Sequence, residues 1–360
     1  MQFRSFFVVS IIFIFTAFPL FASGSGESGT SAGEGAQSQT SEAAETQGDE
    51  SSSGNFPVEI SHSYGATVVE TKPRRVVSIG YSEQDPILAL GYTPVALRYW
   101  FGDYPNSVWP WAQDELGSGE PEVLQMAYGE LDFERIASLE PDVIIATHAG
   151  ISAEEYDTLS VIAPTIPEPE GFAAFSVPWQ EQTRVIARAL GENERGETVI
   201  SRVEEQIRDV ARRNPDFQDQ EIVFASPAQG QGQFWVFSPD TPPLRFLTSM
   251  GFSFPEELRE LVGDKDAAQI SGEQVRLLNT DVLVLQMPSW EAYRELLEND
   301  LFSGLEVASE GRIIPFFGSD DPLYGALSFS TVLSLSYAAE EFEELLQAAS
   351  DGNPQTAVAR

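Results

Sequence analysis

Past residue 55 the chain alternates short, β-branched apolar runs with stretches whose apolar residues recur at helical spacing. The runs Val76 to Ile79, Thr93 to Leu97, Val143 to Thr147, Ile222 to Ala225, Val282 to Gln286 and Ile313 to Phe316 read as strands. Between them the spacing predicts helices over Gln84 to Leu90, Asp132 to Leu139, Ala153 to Ile162, Phe246 to Met250, Glu273 to Leu278 and Ala292 to Leu297. Strands separated by helical patterns of about 10 to 15 residues indicate βαβ units, hence an α/β protein with parallel sheets.

The middle of the chain breaks this rhythm. From Pro178 to Pro215 no strand pattern occurs: Trp179 to Leu190 forms one amphipathic helix, Gly191 interrupts, and a second helix runs to about Arg213. Val199, Ile200, Val203, Ile207 and Val210 mark its apolar stripe at steps of three or four residues. At 1.5 Å per residue, a helix of about 20 residues spans roughly 30 Å, about the width of a domain. It reads either as a crossover within one sheet or as a strut between two lobes, and a repeated unit on its two sides favours the strut.

That unit is LDFERIASLEPDVIIA at 131–146 and ISGEQVRLLNTDVLVL at 270–285. Glu134 aligns with Glu273, Leu139 with Leu278, Asp142 with Asp281 and Val143 with Val282. In each copy a capping residue, Asp132 or Ser271, opens a short helix whose first turn holds the glutamate, and a turn leads to an apolar strand. An acid in a first turn is favoured by the helix dipole, by about 0.3 to 1 kcal/mol, so stabilisation alone could place it there. Helix N-termini of a parallel α/β sheet lie on the same face as the carboxyl ends of the strands, so Glu134 and Glu273 would also flank the mouth of any cleft between lobes. The expected organisation is an N-terminal α/β lobe over 56–190, an interlobe helix over 191–214, a C-terminal lobe over 215–350 and a tail at 351–360.

Composition adds export and acidity. Arg4, the apolar run Phe6 to Phe18 and the small residues Ala22-Ser23-Gly24 read as a signal peptide over 1–24. Residues 25–55 are nearly all Gly, Ser, Glu, Gln, Thr and Ala, a disordered tether by composition. Asp and Glu number 56 against 20 Lys and Arg, a formal net charge of -36, which disfavours nucleic acid and anionic membranes as partners. The absence of cysteine excludes disulfides, thiolate metal ligands, a Cys nucleophile and a lipid-modified cysteine anchor.

Common catalytic signatures fail. Lys72 precedes Pro and Lys265 precedes Asp, so no Gly-Lys-Ser/Thr phosphate loop exists. Gly230-Gln231-Gly232 lacks the third glycine of a dinucleotide fingerprint, and Gly29-Thr30-Ser31-Ala32-Gly33 imitates a hydrolase elbow inside the tether. His62 and His148 are too few for a zinc or manganese receptor.

Several stretches carry a family resemblance: KPRRVVSIG (72–80), ALGYTPVALRYW (89–100), VWPWAQ (108–113), EEYDTLSVIAPTI (154–166), PWQEQT (178–183) and RFLTSMGF (245–252), together with the 131–146 unit. Residues 57–347 resemble a substrate-binding protein of ABC importers, of the iron–siderophore and cobalamin class and nearest its ferric-siderophore branch. The resemblance implies two Rossmann-like lobes with parallel sheets joined by a single long α-helix. It implies no catalysis and no cofactor, iron being carried only within the siderophore, and a monomer that delivers its ligand to a membrane permease. In that family one glutamate per lobe docks on permease arginines, and the matching positions are Glu134 and Glu273. Relatives often carry a lipid-anchored cysteine before a similar tether. Leu20 to Gly24 offers only serine near the expected place, which puts membrane anchoring in doubt and favours a soluble periplasmic protein over one tethered to the outer face of the inner membrane.

A ligand should then lie where strand carboxyl ends face each other. The first lobe offers Tyr81, Arg98, Trp100 and His148, with Trp109 on a loop; the second offers Trp235, Arg245, Trp290 and Tyr324. Aromatic walls with one or two arginines suit a bulky chelate. Trp109 and its neighbour Trp111 could equally staple their loop to the core, and Arg245 could cap a helix. Rival readings are a haem or cobalamin receptor of the same architecture and a periplasmic α/β enzyme acting on iron chelates.

Overall fold

The computed structural model describes residues 56–229, 232–351 and 353. The expected signal segment, the tether, the two residues Gly230 and Gln231 and most of the expected tail lie outside the described residues. A hairpin opens the fold, with β1 (Val58–His62) antiparallel to β2 (Gly65–Val69).

Two separate five-stranded sheets follow. The first contains β3 (Val76–Ser78), β4 (Ala96–Arg98), β5 (Glu122–Leu124), β6 (Val143–Ala146) and β7 (Thr165–Pro167), ordered β5-β4-β3-β6-β7 and parallel throughout. The second contains β8 (Ile222–Pro227), β9 (Phe234–Phe237), β10 (Ala267–Ile270), β11 (Val282–Met287) and β12 (Ile313–Phe317), ordered β10-β9-β8-β11-β12. The inner strands β3, β6, β8 and β11 are buried along nearly their whole length, which is why their sequences are continuously apolar rather than alternating.

The second sheet departs from the expected parallel arrangement. β9 runs antiparallel to both β8 and β10. Only residues 228–233 connect β8 to β9, too few for a crossover helix, so the chain must turn back as a hairpin. β8, β11 and β12 keep the parallel order of β3, β6 and β7.

The repeated sequence unit occupies equivalent places in the two sheets. Val143 of β6 pairs with Val76 of β3, and Val282 of β11 with Ile222 of β8. Each aspartate sits one residue before its strand and accepts main-chain N–H bonds from the start of the neighbouring strand. Asp142 takes those of Arg74 (2.8 Å) and Arg75 (3.0 Å), and Asp281 takes that of Glu221 (2.8 Å). The carboxylates thus satisfy donors that the ladder has not yet reached.

The helices Trp179–Leu190 and Asn193–Arg213 are joined at Gly191, whose left-handed φ of 71° terminates the first. The start of the 21-residue second helix rests on the first half of the fold: a Cβ on Gly196 would meet Ala187 at 2.6 Å, and Arg195 Nε donates to Ala89 O at 2.9 Å. Its end lies in the second half, with Val203, Ile207 and Val210 in that core and an ion pair from Arg213 to Glu343.

The C-terminal helix Val332–Ser350 also binds the halves together. It packs against the helices 84–89, 179–190 and 193–213 as well as against β11 and β12. One apolar cluster accordingly runs from Leu97, Trp109 and Leu116 to Phe316 and Leu335. Among the described residues no helix is long and apolar enough to cross a membrane.

Candidate functional site

The carboxyl ends of β3, β4 and β6 carry a wall of rings over a buried polar layer. Tyr81 follows β3, Trp100 follows β4 and His148 follows β6, as the sequence leads one to expect. Their ring centroids lie close: Tyr81 to Trp100 at 5.6 Å and Trp100 to His148 at 6.0 Å, edge to face. Phe175, on the loop before the helix 179–190, closes the group at 5.1 Å from His148 and 6.3 Å from Tyr81. Tyr128, 61% exposed, leans on Phe175 at the rim.

Beneath the rings sit groups absent from the sequence-derived set. Glu83 is fully buried and accepts the main-chain N–H of His148 at 2.7 Å. Burial raises its carboxyl to about 7, against the opposing pull of the backbone bonds it accepts. Room for that carboxylate exists only because residue 80 is glycine: a Cβ there would lie 1.9 Å from Glu83 Oε1. Ser82 Oγ lies 2.7 Å from His148 Nδ1, and Gln182 Nε2 donates to Ser82 Oγ at 3.2 Å and Thr147 Oγ1 at 3.3 Å. Desolvation lowers His148 to about 4, so its ring is neutral near pH 7. An acid in the short turn that follows a buried strand, in Tyr81-Ser82-Glu83, was the signal available for this layer.

Arg98 lies at the end of β4 but turns inward. Only 1% exposed, it donates from Nε to Met126 O (2.9 Å), from Nη1 to Ile79 O (3.2 Å) and from Nη2 to Ala127 O. Its guanidinium carbon stands 4.4 Å from the centroid of the Tyr81 ring. The side chain therefore fixes three carbonyls and seats Tyr81; burial lowers its pKa.

Trp109 is 1% exposed and contacts protein on several sides. Added Cβ atoms at Gly102 and Gly325 would fall 2.5 Å and 2.4 Å from its ring. It stacks on Trp111 at 4.9 Å and meets Phe329 at 5.7 Å. The sequence offers a staple of this loop onto the core as the alternative to ligand contact; the contacts with Gly325 and Phe329 also tie the loop to the other half. Trp111 adds a polar tie: its Nε1 donates to buried Asp85 at 2.8 Å, and Thr331 Oγ1 donates to the same carboxylate oxygen. Burial raises Asp85 to about 7.

From the other half, Tyr324 faces Phe101 at 6.2 Å and Phe329 faces Trp100 at 4.9 Å, while Tyr104 donates to Asp320 O at 2.7 Å. Burial raises the Tyr324 phenol. Trp290, 54% exposed, stands edge-on to Phe317 at 5.3 Å, beyond the end of β12. Arg245 is half-buried, makes no ion pair among the described residues and has its pKa lowered by burial. Its helix, Pro242–Ser249, packs on the helix Pro322–Phe329 that carries Tyr324. Trp235 lies in β9, opposite Ser226 and Gln269, and is half-buried. The structure thus brings Tyr81, Trp100 and His148 together, sets Tyr324 against Phe101, which packs on Trp100, and leaves Trp235 and Trp290 without a ring contact to that first-half cluster among the described contacts.

Glu134 and Glu273 are both exposed and neither forms an ion pair among the described residues. Capping is done by their neighbours: Asp132 accepts from Arg135 N at 2.9 Å, and Ser271 exchanges bonds with Gln274. The two glutamates are left free to meet something outside the fold. Among the described residues no group of three or more His, Asp or Glu is placed to hold a metal ion.

Residues 76–316 match the family model described as periplasmic binding protein. A Fe(3+)-citrate-binding protein, YfmC, of Bacillus subtilis (strain 168) is 24% identical over 253 residues, covering 69% of this chain and 75% of the relative. A periplasmic solute binding protein from Mycobacterium smegmatis str. MC2 155 superposes with a TM-score of 0.72 at 31% identity, covering 81% of this chain and 98% of that one. PiaA of Streptococcus pneumoniae TIGR4, solved in complex with ferrichrome, gives 0.70 at 27% identity, covering 82% and 99%. A match spanning both sheets, set on a structure whose two halves offer opposed aromatic groups at their strand ends, leads to one assignment: the chain belongs to the periplasmic binding protein family and is a substrate receptor, not an enzyme.

Proposed function

We propose that the chain captures a ferric siderophore between its two halves and presents it, as a monomer, to the permease of an ABC importer. The observation that carries this reading is the ring wall of Tyr81, Trp100, Phe175 and His148 at the carboxyl ends of the first sheet, continued through Phe101 to Tyr324 of the other half, whose helix packs on the one that carries the half-buried Arg245. Such a surface holds a large, partly apolar chelate through ring contact, with a cation for residual charge. A relative that binds ferric citrate and a structural neighbour solved with ferrichrome support iron chelates as the ligand class. Export to the periplasm fits the residue pattern of 1–24, which lies outside the described residues.

The exposed carboxylates Glu134 and Glu273, which form no ion pair among the described residues, can accept bidentate guanidinium bonds and so fix orientation on a membrane partner. Titrating tryptophan fluorescence with ferric chelates should give saturable quenching and no product. Glu134→Lys combined with Glu273→Lys should abolish uptake while leaving the dissociation constant within twofold. Loss of affinity in that variant would return both glutamates to a purely structural role, and turnover of a chelate would replace the receptor reading by an enzymatic one.

A further inference from the structure

We infer that Gln182 is a positioning residue of the receptor site: through Ser82 it fixes His148 as the tautomer protonated at Nε2, so that the ring offers the bound chelate a hydrogen-bond donor. This rests on the reading proposed above, in which the ring wall meets the ligand. The segment PWQEQT (178–183) enters the site through this residue, which is buried near the start of the helix Trp179–Leu190.

The direction of the hydrogen-bond chain follows from the one donor in it that cannot reverse. The main-chain N–H of His148 donates to Glu83 Oε1 at 2.7 Å, which makes that oxygen an acceptor, and Thr147 Oγ1 donates to the same oxygen at 3.5 Å. With its hydrogen so directed, Thr147 must receive from Gln182, and only the nitrogen of a carboxamide donates. Gln182 Nε2 lies 3.3 Å from Thr147 Oγ1 and 3.2 Å from Ser82 Oγ, so its second hydrogen goes to Ser82. Ser82 then directs its own hydrogen at His148 Nδ1, 2.7 Å away. A neutral imidazole carries one N–H, and desolvation keeps this ring neutral near pH 7, so the proton belongs to Nε2. Trp100 and Phe175 flank the ring, and among the described contacts Nε2 meets no protein acceptor. A chelate oxygen at that edge receives a hydrogen bond, whereas the other tautomer would set lone pair against lone pair.

The test is heteronuclear NMR of the imidazole nitrogens in the full chain at about pH 7. The chain holds two histidines: His62, whose Nδ1 accepts the Tyr64 main-chain N–H at 3.2 Å, is the internal reference, and His148→Asn identifies the other set of signals. Wild-type His148 is expected to show a bare Nδ1 and a protonated Nε2. Gln182→Glu, which replaces the donating amide by an acceptor of the same shape, should move the proton to Nδ1, and Gln182→Leu, with neither donor nor charge, should give a mixture of both tautomers. In fluorescence titrations with ferrichrome and with ferric citrate, Gln182→Glu should weaken whichever chelate the wild type binds by about tenfold or more, but by less than about threefold in a His148→Asn background. A wild-type proton on Nδ1, or one that stays on Nε2 in Gln182→Leu, overturns the inference, as does a loss of affinity that persists without His148. Binding of neither chelate overturns the iron-chelate reading, while the imidazole signals, recorded without ligand, decide the role of Gln182 on their own.

Discussion

Arg98 shows what a residue's position in the sequence conveys and what it withholds. Its place directly after a strand was legible, and the structure does put it at a strand end beside Tyr81. The inward turn was not, because it depends on carbonyls at 79, 126 and 127 that converge only in three dimensions. Arg98→Ala should therefore lower stability by about 3 kcal/mol in urea unfolding, since charged donors to buried carbonyls are removed without replacement. An unchanged unfolding midpoint would show that those carbonyls find other donors. Gly80 makes a second case at this scale. Gly80→Ala forces a methyl group into the Glu83 carboxylate and should cost about 1 to 3 kcal/mol, of overpacking origin. Adding Glu83→Ala should recover part of that loss, and strictly additive effects of the two changes would refute the clash.

At the scale of elements the repeat was the most legible feature. Asp142 and Asp281 recur because each neutralises the N–H groups entering the adjacent strand, a role that needs the same spacing in both sheets. Alanine at either position should cost about 1 to 3 kcal/mol, with Asp142 the more sensitive because it accepts two main-chain bonds. Calorimetry on the two variants checks the order; equal melting temperatures to wild type would remove the strand-entry role. The antiparallel β9 escaped the sequence reading because helical and strand patterns flank it on both sides and the deciding quantity was the length of one connection. Likewise VWPWAQ identified a specific segment, yet only packing reveals that Trp109 and Trp111 spend their rings and an indole N–H on joining the halves.

For the whole molecule, pH is the accessible probe of that joint. Burial lifts Asp85 from 3.8 and Glu83 from 4.5 to about 7, so the fold holds these protons more tightly than the unfolded chain. The stability they contribute is complete below about pH 4 and is lost as pH rises to about 7. His148, lowered from 6.5 to about 4, acts in the opposite sense over pH 4 to 6.5 and offsets one of the two acids there. Unfolding free energy should thus fall from pH 5 to pH 8, and Asp85→Asn should make that fall shallower by about one proton's worth. A slope unaffected by the substitution would mean that Asp85 titrates normally. Two helices spanning both halves, with one shared apolar core, should also keep ligand-induced rearrangement small, so that the radius of gyration from X-ray scattering changes by less than about 1 Å on binding, against the wide closure of hinged receptors.

The bond from Thr331 to Asp85 links positions 246 residues apart. During synthesis, the first sheet must wait for nearly the entire remaining chain before its acid acquires this donor and before the last helix covers the helix 84–89. Long-range closure of this kind slows folding and makes it a terminal event. A ribosome-bound chain accordingly stays open, and a nonsense mutation anywhere ahead of residue 331 should yield a product with an unfinished seam through its middle rather than a functional fragment.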